Sequence, residues 1–484
     1  MEKRKFSKLD IFLLTCICVV AIGMRLYKIN APLSDYHSWR QADTAAVARN
    51  YAKNGIDLLH PQYDDLSSIQ SGQENPQGFR YVEFPIYNAI IAAEYIVAPF
   101  LPIEVYGRLT TIFFSLIIIS IIYYLLLKEH SRLSAFIASL TYAIFPAFVF
   151  FSRVILPETP AIAFAFLAIF FSYRWSDGQS KNRLILLLAS AFSMSISILI
   201  KPPVVFYLIP IVFLFFQTHK LDIWKKWEMY VYTLIVVAPF IAWRLFILKF
   251  PEGIPASDWL ITSVNTYEGQ KVIFMKPAFF RWIFYERINI MICGAYLTFF
   301  LLTGLVTKLK SYFLHSIFLA AMVYLFVFQG GNVQHEYYQT LILAPIALFI
   351  GVGTTAVLKN KSSLHPFLLY PLVIVIFIFS LSFSYYYRVK DFYSYPEDLN
   401  QMARILDTFT KTSDKVITDR LGDTTLLYLA NRKGAPMLYH SIPQMKELGY
   451  TYYMTDKKEI ITELKTTKEC PLLFENAQFA LFKL

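Results

Sequence analysis

The sequence places acidic side chains in short polar motifs that separate long apolar stretches. Asp35 lies in L-S-D-Y-H-S-W-R-Q-A-D-T, soon after the first apolar stretch. A carboxylate at a membrane–water boundary can act as a general base toward an acceptor hydroxyl group. Asp35 could also cap the helix that the spacing predicts from Trp39 to Tyr51. The two roles are compatible, and Asp35 is the first candidate catalytic residue.

Two further acids occupy similar positions. R-Y-V-E-F-P-I-Y-N places Arg80 and Glu83 just before a short apolar segment, where an interfacial salt bridge is the simplest role. S-R-V-I-L-P-E-T-P places Glu158 after Pro157 at the start of an apolar stretch, where a carboxylate suits a helix N-terminus. A carboxylate this close to hydrocarbon is costly unless it faces a cavity or a partner. Glu158 is therefore a candidate catalytic residue, whereas a catalytic role for Glu83 is implied only by the family resemblance given below.

Basic side chains gather at the same ends of the apolar stretches. Each alone is typical of an interfacial anchor, but as a set they resemble a pocket for a phosphate or pyrophosphate presented from the bilayer. These cations are Arg108, Arg153, Lys201, Arg244, Arg281 and Arg287.

One more polar motif, G-G-N-V-Q-H-E-Y-Y-Q-T, begins the tenth apolar stretch. Interfacial tyrosines are common anchors, so Tyr338 alone carries little information. The adjacent His335 and Glu336 make the motif more informative, and all three are candidate substrate-binding residues.

Composition identifies the elements that must position these residues. Of 484 residues, 56% are hydrophobic and only 16% are charged, whereas soluble domains carry about 25% charged residues. This excludes a single soluble globular fold and predicts a polytopic α-helical membrane protein. The net charge of +11 does not indicate nucleic-acid binding, because Lys and Arg cluster between apolar segments as topology determinants do. The four cysteines show no metal or disulfide spacing.

Eleven stretches are long enough to span a membrane, and the first is interpreted as a retained span rather than a cleaved signal peptide. Counting the segment 86–101 as a twelfth would move nearly every basic cluster to the outside, so we predict that it lies in the interface. The predicted spans are 9–28, 105–127, 133–152, 159–175, 184–200, 202–218, 229–248, 288–306, 311–329, 337–357 and 365–387.

This topology predicts a transmembrane catalytic domain over 1–387 with two large outer loops, 29–104 and 249–287. The second outer loop mixes Trp259 and Lys271 as an interfacial segment does. Residues 388–484 have ordinary soluble composition and predict a small exoplasmic α/β domain. Its helix is P-E-D-L-N-Q-M-A-R-I-L-D-T-F-T, and its strands are K-V-I-T-D-R, T-Y-Y-M-T and Q-F-A-L-F-K-L.

The order of these motifs resembles the GT-C glycosyltransferases, and more narrowly the bacterial family of lipid A aminoarabinose transferases and protein O-mannosyltransferase-like enzymes. The matching features are the acid after span one, the R-Q-A-D-T-A-A-V-A-R helix, E-F-P-I-Y, Y-G-R-L-T, F-P, L-P-E, Lys201 with its prolines, H-E-Y-Y and the outer α/β tail. The resemblance covers about residues 10–440. The chain departs from the family where Asp35 is followed by Tyr36 and where E-F-P replaces the frequent K-P-P.

The resemblance implies a GT-C fold and an inverting transfer of a single sugar from a polyprenyl-phosphate donor to an acceptor hydroxyl or similar group. Asp35 maps onto the first-loop acid, Glu158 onto the second-loop acid and Glu83 onto a charged position before proline. The residues implied for the lipid phosphate or the sugar are Arg40, Arg80, Lys201, Arg281, His335, Glu336 and Tyr338.

No cofactor is expected, and a divalent metal stays open. The expected partners are the lipid-linked donor, an envelope lipid, glycan or protein acceptor, and the bilayer. No nucleic acid is expected as a partner, and the protein is expected to be a monomer. The expected location is the bacterial plasma membrane, with the active site and C-terminal domain on the outer side. Two alternatives remain open: a polymerase or ligase of lipid-linked oligosaccharides, and a transporter or flippase, for which pseudo-symmetric halves are not visible.

Overall fold

The computed structural model describes residues 6–178, 182–256, 273–360 and 365–484. Part of the predicted loop 249–287, with Trp259 and Lys271, therefore lies outside the described residues. The chain divides into two compact units. The first, called the helical unit, comprises Met1–Ile29, Arg108–Trp243 and Asp258–Phe392. The second, called the mixed unit, comprises Asn30–Gly107, Arg244–Ser257 and Tyr393–Leu484.

Helices dominate the described chain. The first ten α-helices are α1 Lys8–Arg25, α2 Ser38–Asn54, α3 Ile86–Val97, α4 Ile103–Glu129, α5 Arg132–Ile144, α6 Pro146–Phe151, α7 Glu158–Ser176, α8 Arg183–Ile200, α9 Leu208–His219 and α10 Trp227–Ile247. The next ten are α11 Pro277–Phe280, α12 Leu297–Val306, α13 Phe313–Val327, α14 Gln329–Gln334, α15 Thr340–Lys359, α16 Pro366–Ser384, α17 Glu397–Phe409, α18 Thr425–Leu429, α19 Ile442–Glu447 and α20 Lys458–Thr467.

Every predicted span contains an α-helix. By length and composition, six of the described helices could cross a membrane, or seven if one bent pair counts as a single span. The count of eleven spans stays a prediction, because several predicted spans consist of helices that are short or interrupted. The third predicted span, for example, is divided into α5 and α6 at Phe145, which is extended and precedes Pro146.

The bent pair shows why one of these interruptions arises. A π-helix, Arg281–Ile292, precedes α12 at an angle of 112°. Gly294 in the bend has a φ of +53°, and a Cβ atom there would lie 1.9 Å from the Ser380 carbonyl oxygen. Only glycine permits this close approach of the two backbones.

In the mixed unit, the segment 86–101 forms only the 12 residues of α3. A helix this short cannot cross about 30 Å of hydrocarbon. The hydroxyl group of Tyr87 donates to the Gly107 carbonyl oxygen at 3.0 Å, which holds α3 against the beginning of α4.

The C-terminal segment folds as a five-stranded sheet between helices. In the order β2-β1-β3-β5-β4, the first three strands are parallel and β5 is antiparallel to β3 and β4. The strands are β1 Lys415–Ile417, β2 Gly434–Ala435, β3 Tyr450–Thr455, β4 Leu472–Glu475 and β5 Ala480–Lys483.

Alternation along the strands gives this sheet two buried faces. Val416 and Leu481 pack in the cluster that includes Leu406 of α17, whereas Ile417 and Phe482 pack with residues of α20. The predicted helix and three predicted strands are present. The strands β2 and β4 were not predicted.

Candidate active site

Asp35 is buried in the mixed unit just before α2. Its side chain is only 4% exposed, and its Oδ1 accepts a hydrogen bond from Nε2 of Gln41 at 2.7 Å. The same amide nitrogen donates to the Tyr36 carbonyl oxygen at 3.0 Å. The N-cap residue of α2 is His37, in a left-handed conformation, so the alternative that Asp35 occupies this position is wrong. Asp35 is instead held by a side chain from the first turn of α2.

Two ion pairs join α2 to the segment before α3. Arg40 pairs with Glu83, and Arg80 pairs with Asp43 at 2.6 Å. Arg80 and Glu83 thus each pair with a residue of α2. The spacing explains the two pairs. Arg40 and Asp43 share a helix face at i and i+3, and Arg80 and Glu83 have the same spacing and the same order of charges. When the two segments run antiparallel, each cation meets an anion. We call Asp35 and these four residues the first-loop cluster.

The inner pair of this cluster is the more deeply buried. Asp43 also accepts a hydrogen bond from the Thr424 hydroxyl group at 2.6 Å, and the Arg80 guanidinium lies 4.9 Å from the centre of the Tyr63 ring. Burial raises the pKa of Asp43, and the Arg80 charge opposes this shift. Asp43 is a component that sequence reasoning left out of the candidate site, although its spacing from Arg40 was a usable signal.

Asp65 is a second buried acid of the mixed unit. Asp65 accepts hydrogen bonds from the backbone N–H and the hydroxyl group of Ser67 at 2.8 and 2.6 Å. Burial raises the pKa of Asp65 to about 7, against the hydrogen bonds from Ser67, which lower it. Protonation of this carboxyl group therefore changes within the physiological pH range.

In the helical unit, Glu158 and Lys201 form a buried pair. Lys201 Nζ lies 2.7 Å from Glu158 Oε1, and both side chains are less than 10% exposed. Glu158 is the first residue of α7 and Lys201 follows the last residue of α8. The two helices pack side by side in opposite directions, and a hydrogen bond of 2.7 Å joins Ser197 to the Ala161 carbonyl oxygen near this end. Each charge also suits its helix dipole.

Tyr338 completes what we call the Lys201 cluster, with Glu158 and Lys201. Lys201 Nζ lies 5.6 Å from the centre of the Tyr338 ring. Glu158 Oε2, Gln339 Oε1 and Thr340 Oγ1 are buried and make no hydrogen bond to any residue in the described part of the chain. An unsatisfied buried polar atom costs about 1–3 kcal/mol, so the surroundings of this cluster suit a ligand that carries hydroxyl or other polar groups.

The remaining predicted residues of the helical unit have other partners. Glu336 pairs with Arg287, also buried, and His335 stacks on Tyr337 and Tyr338. Arg281 is not brought into these contacts: its side chain is 72% exposed and lies 3.9 Å from Glu286.

Two of the predicted cations hold the backbone after α1. Arg108 donates to the Ile29 carbonyl oxygen at 2.6 Å, and Arg153 donates to the Lys28 carbonyl oxygen at 3.0 Å. Both guanidinium groups are fully buried. These contacts give Arg108 and Arg153 a structural role at this end of the helical unit.

Among residues 6–178, 182–256, 273–360 and 365–484, no three His, Cys, Asp or Glu side chains group together as a metal site would require.

Comparisons with known proteins include a match to a family model. The family model for dolichyl-phosphate-mannose-protein mannosyltransferases matches residues 15–252. No curated protein matches the sequence.

Solved structures match over nearly the whole chain. ArnT from Cupriavidus metallidurans bound to undecaprenyl phosphate has a TM-score of 0.65 at 12% identity and covers 98% of this chain and 97% of its own. AglB from Archaeoglobus fulgidus, an oligosaccharyltransferase in complex with an inhibitory peptide and a dolichol-phosphate, has a TM-score of 0.57 at 10% identity. The match covers 95% of this chain and 70% of the AglB chain. The arabinofuranosyltransferase AftD from Mycobacteria has a TM-score of 0.61 at 13% identity. The match covers 100% of this chain and 40% of the AftD chain.

At these identities the structural matches show the fold, which is shared along the full length of ArnT. The family match over the first half of the chain agrees with this fold, with the apolar helices and with the small C-terminal sheet. The predicted helical architecture with a small C-terminal sheet domain is therefore confirmed, and the chain has the GT-C fold that ArnT has.

Proposed function

We propose that this chain transfers a single sugar from a polyprenyl-phosphate donor, with inversion, to a hydroxyl or similar group of an envelope lipid, glycan or protein. We further propose that it acts in the bacterial plasma membrane, with the active site and residues 388–484 on the outer side. In this reaction the acceptor oxygen bonds to the anomeric carbon of the sugar. The bond from that carbon to the phosphate oxygen breaks, and polyprenyl phosphate leaves.

Asp35 is the proposed general base, which takes the proton of the acceptor hydroxyl group as the new bond forms. A positioned base of this kind contributes about 10²–10⁴-fold to the rate. Glu83 and Arg40 form one ion pair of the first-loop cluster and Arg80 contributes to the other. These pairs fix α2 and thereby the carboxylate that Gln41 holds.

The Lys201 cluster is the proposed site for the donor. The ammonium group of Lys201 would stabilise the charge that develops on the departing phosphate, an interaction often worth several kcal/mol in a site that excludes water. Tyr338 would contact the same headgroup. Glu158 Oε2, buried and without a hydrogen bond to the described residues, would accept one from a sugar hydroxyl group. His335, Glu336 and the exposed Arg281 remain candidates for binding the donor.

The observation that carries the proposal is the fixed position of Asp35. Its carboxylate is buried, Gln41 holds Oδ1 at 2.7 Å, and two ion pairs immobilise the helix that supplies Gln41. A base held in one orientation loses little entropy in the transition state.

Asp35→Asn tests the assignment with a nearly isosteric change. The assay uses purified wild type, radiolabelled polyprenyl-phosphate sugars and a membrane extract as acceptor pool. Asp57→Asn is the matched control, because Asp57 is an acid of the same loop that is 59% exposed. We expect transfer to fall at least about 100-fold in Asp35→Asn and to persist in the control, with equal unfolding temperatures.

Full activity of Asp35→Asn would refute the role of this residue. A wild type that turns over no donor while folded would refute the transferase. A labelled product that grows by whole oligosaccharides rather than by one sugar would favour the polymerase or ligase.

A further inference from the structure

The mixed unit contains a polar cleft that the proposed reaction does not yet use. It measures about 620 Å³, within the range of ligand sites, about 300–1,000 Å³. One wall is the exposed side of α17, and the others are the chain that enters the mixed unit at Asn30 and the turn after α18. The side chains that matter are Asn30, Pro32, Asn400, Arg404 and Asn431, with Tyr395 at the edge.

The turn that forms one wall is held rigidly. Arg432 is 2% exposed on its side chain and pairs with Asp407, another lining residue, at 3.0 Å. It also donates to the Thr410 and Ala430 carbonyl oxygens at 2.7 and 2.9 Å. The protein itself therefore holds this wall of the cleft in place.

Two of the three asparagine amide groups of the lining are oriented by the protein. Asn431 Oδ1 accepts a hydrogen bond from Lys53 at 2.6 Å, which leaves its Nδ2 to donate. Asn400 Nδ2 donates to the Pro396 carbonyl oxygen at 3.1 Å, which leaves its Oδ1 to accept. The Arg404 guanidinium forms no ion pair with any residue of the described ranges, and adds further donors. An acceptor and several donors are thus presented together.

This chemistry selects one class of ligand. Arg404 is accompanied by the carboxylates of Glu397 and Asp407, so the cleft lacks the positive excess that phosphates require. Its polar lining also disfavours an acyl chain. A neutral polyhydroxylated molecule fits both limits, since each hydroxyl group donates and accepts while the C–H face of a sugar ring can pack on Tyr395.

The cleft also begins close to the proposed base. Asp35 lies three positions after Pro32, and three residues of extended chain reach at most about 11 Å. A saccharide of a few units seated in the cleft could therefore extend to the carboxylate of Asp35.

We propose that this cleft binds the acceptor of the transfer reaction and that this acceptor is a neutral carbohydrate. The proposal rests on the proposed function and narrows its acceptor from a lipid, glycan or protein to a glycan.

Two measurements on the full chain test it. Saturation-transfer NMR measures binding of chitotetraose, mannotetraose and galactotetraose to the protein in a detergent without a sugar headgroup, because a maltoside would compete. The double variant Asn400→Ala, Arg404→Ala removes an acceptor and a donor group. Gln401→Ala and Thr408→Ala are the matched controls, because both residues are exposed on α17 and neither lines the cleft.

We expect at least one oligosaccharide to bind the wild type and the controls, and to bind the double variant at least tenfold more weakly. In the transfer assay, the double variant should raise the apparent KM for the acceptor at least tenfold without changing the KM for the donor. No saturation transfer in the wild type, or equal binding by the double variant, would overturn the proposal.

The transfer assay separates this proposal from the proposed function. An active double variant with an unchanged acceptor KM would overturn the cleft alone. A wild type that binds oligosaccharide but transfers no sugar would overturn the proposed function, and the acceptor role of the cleft with it.

Discussion

The first-loop cluster and the Lys201 cluster both bury carboxylates beside cations, but they do so by different means. In the first-loop cluster, the i, i+3 spacing of Arg40 and Asp43 meets the same spacing of Arg80 and Glu83. In the Lys201 cluster, the pair exists only because α7 and α8 bring their ends together. Both clusters leave a buried polar atom without a hydrogen-bond partner among the described residues: Arg80 Nε, a donor, in the first and Glu158 Oε2, an acceptor, in the second. In the proposed function, the first cluster positions Asp35 and the second binds the donor.

Lys201→Met gives the largest expected effect on stability. It leaves Glu158 buried without its cation, and breaking a buried pair from one side typically costs about 3–5 kcal/mol. Lys201→Met with Glu158→Gln should recover much of that loss, because no buried charge remains. Unfolding of the detergent-solubilised protein measures both. A single variant as stable as wild type would show that the pair is solvated.

Removing the cation of each ion pair of the first-loop cluster in turn tests whether the more deeply buried pair contributes more to the free energy of unfolding. Arg80→Met leaves the side chain of Asp43, 2% exposed, without its partner, and we expect a loss of about 3 kcal/mol. Arg40→Met leaves Glu83, 14% exposed, which water can partly solvate, and we expect about 1 kcal/mol. The same unfolding measurement applies. Equal losses would contradict the distinction between an inner and an outer pair.

The pH dependence of stability isolates Asp65. Its pKa is about 7 in the folded protein and near 4 when unfolded. Between these two pH values the folded state holds a proton on Asp65 that the unfolded state lacks. The contribution of Asp65 to the free energy of unfolding therefore falls by about 1.4 kcal/mol per pH unit as pH rises, and it is lost above about pH 7. Asp65→Asn should therefore flatten the decline in unfolding free energy between pH 5 and 7.

Asp222→Asn is the control for the pH measurement, because Asp222 is 63% exposed and pairs with Lys225 rather than with a histidine. This variant should keep the wild-type slope between pH 5 and 7. An unchanged slope in Asp65→Asn would show that its carboxyl group is ionised throughout that range.

Arg281→Ala gives the smallest expected change in stability. The guanidinium is 72% exposed and its contact with Glu286 is long, at 3.9 Å. Exposed pairs contribute about 0–1 kcal/mol, so the unfolding temperature should scarcely move. A large drop would show that the surface around Arg281 is covered in the functional protein.

The candidate site was only partly predictable from sequence. Asp35, Glu158 and Lys201 could be identified because a charge at the edge of an apolar stretch is costly and therefore informative. Asp43 was missed as a site residue, since a carboxylate within a helix is usually a solvated surface group. Its importance depends on Arg80, 37 residues later, and on Thr424, which lies in another part of the chain.

The sequence by itself determined the helical membrane class, the positions of the apolar helices and most of the C-terminal sheet. Hydropathy and local periodicity carry that information, because each element must bury its own apolar face. Only the tertiary structure decided which charges pair, where a helix bends at Gly294 and how α17 and the turn after α18 enclose a polar cleft. Such contacts join residues far apart in the chain, and their energies depend on burial, which no local pattern records.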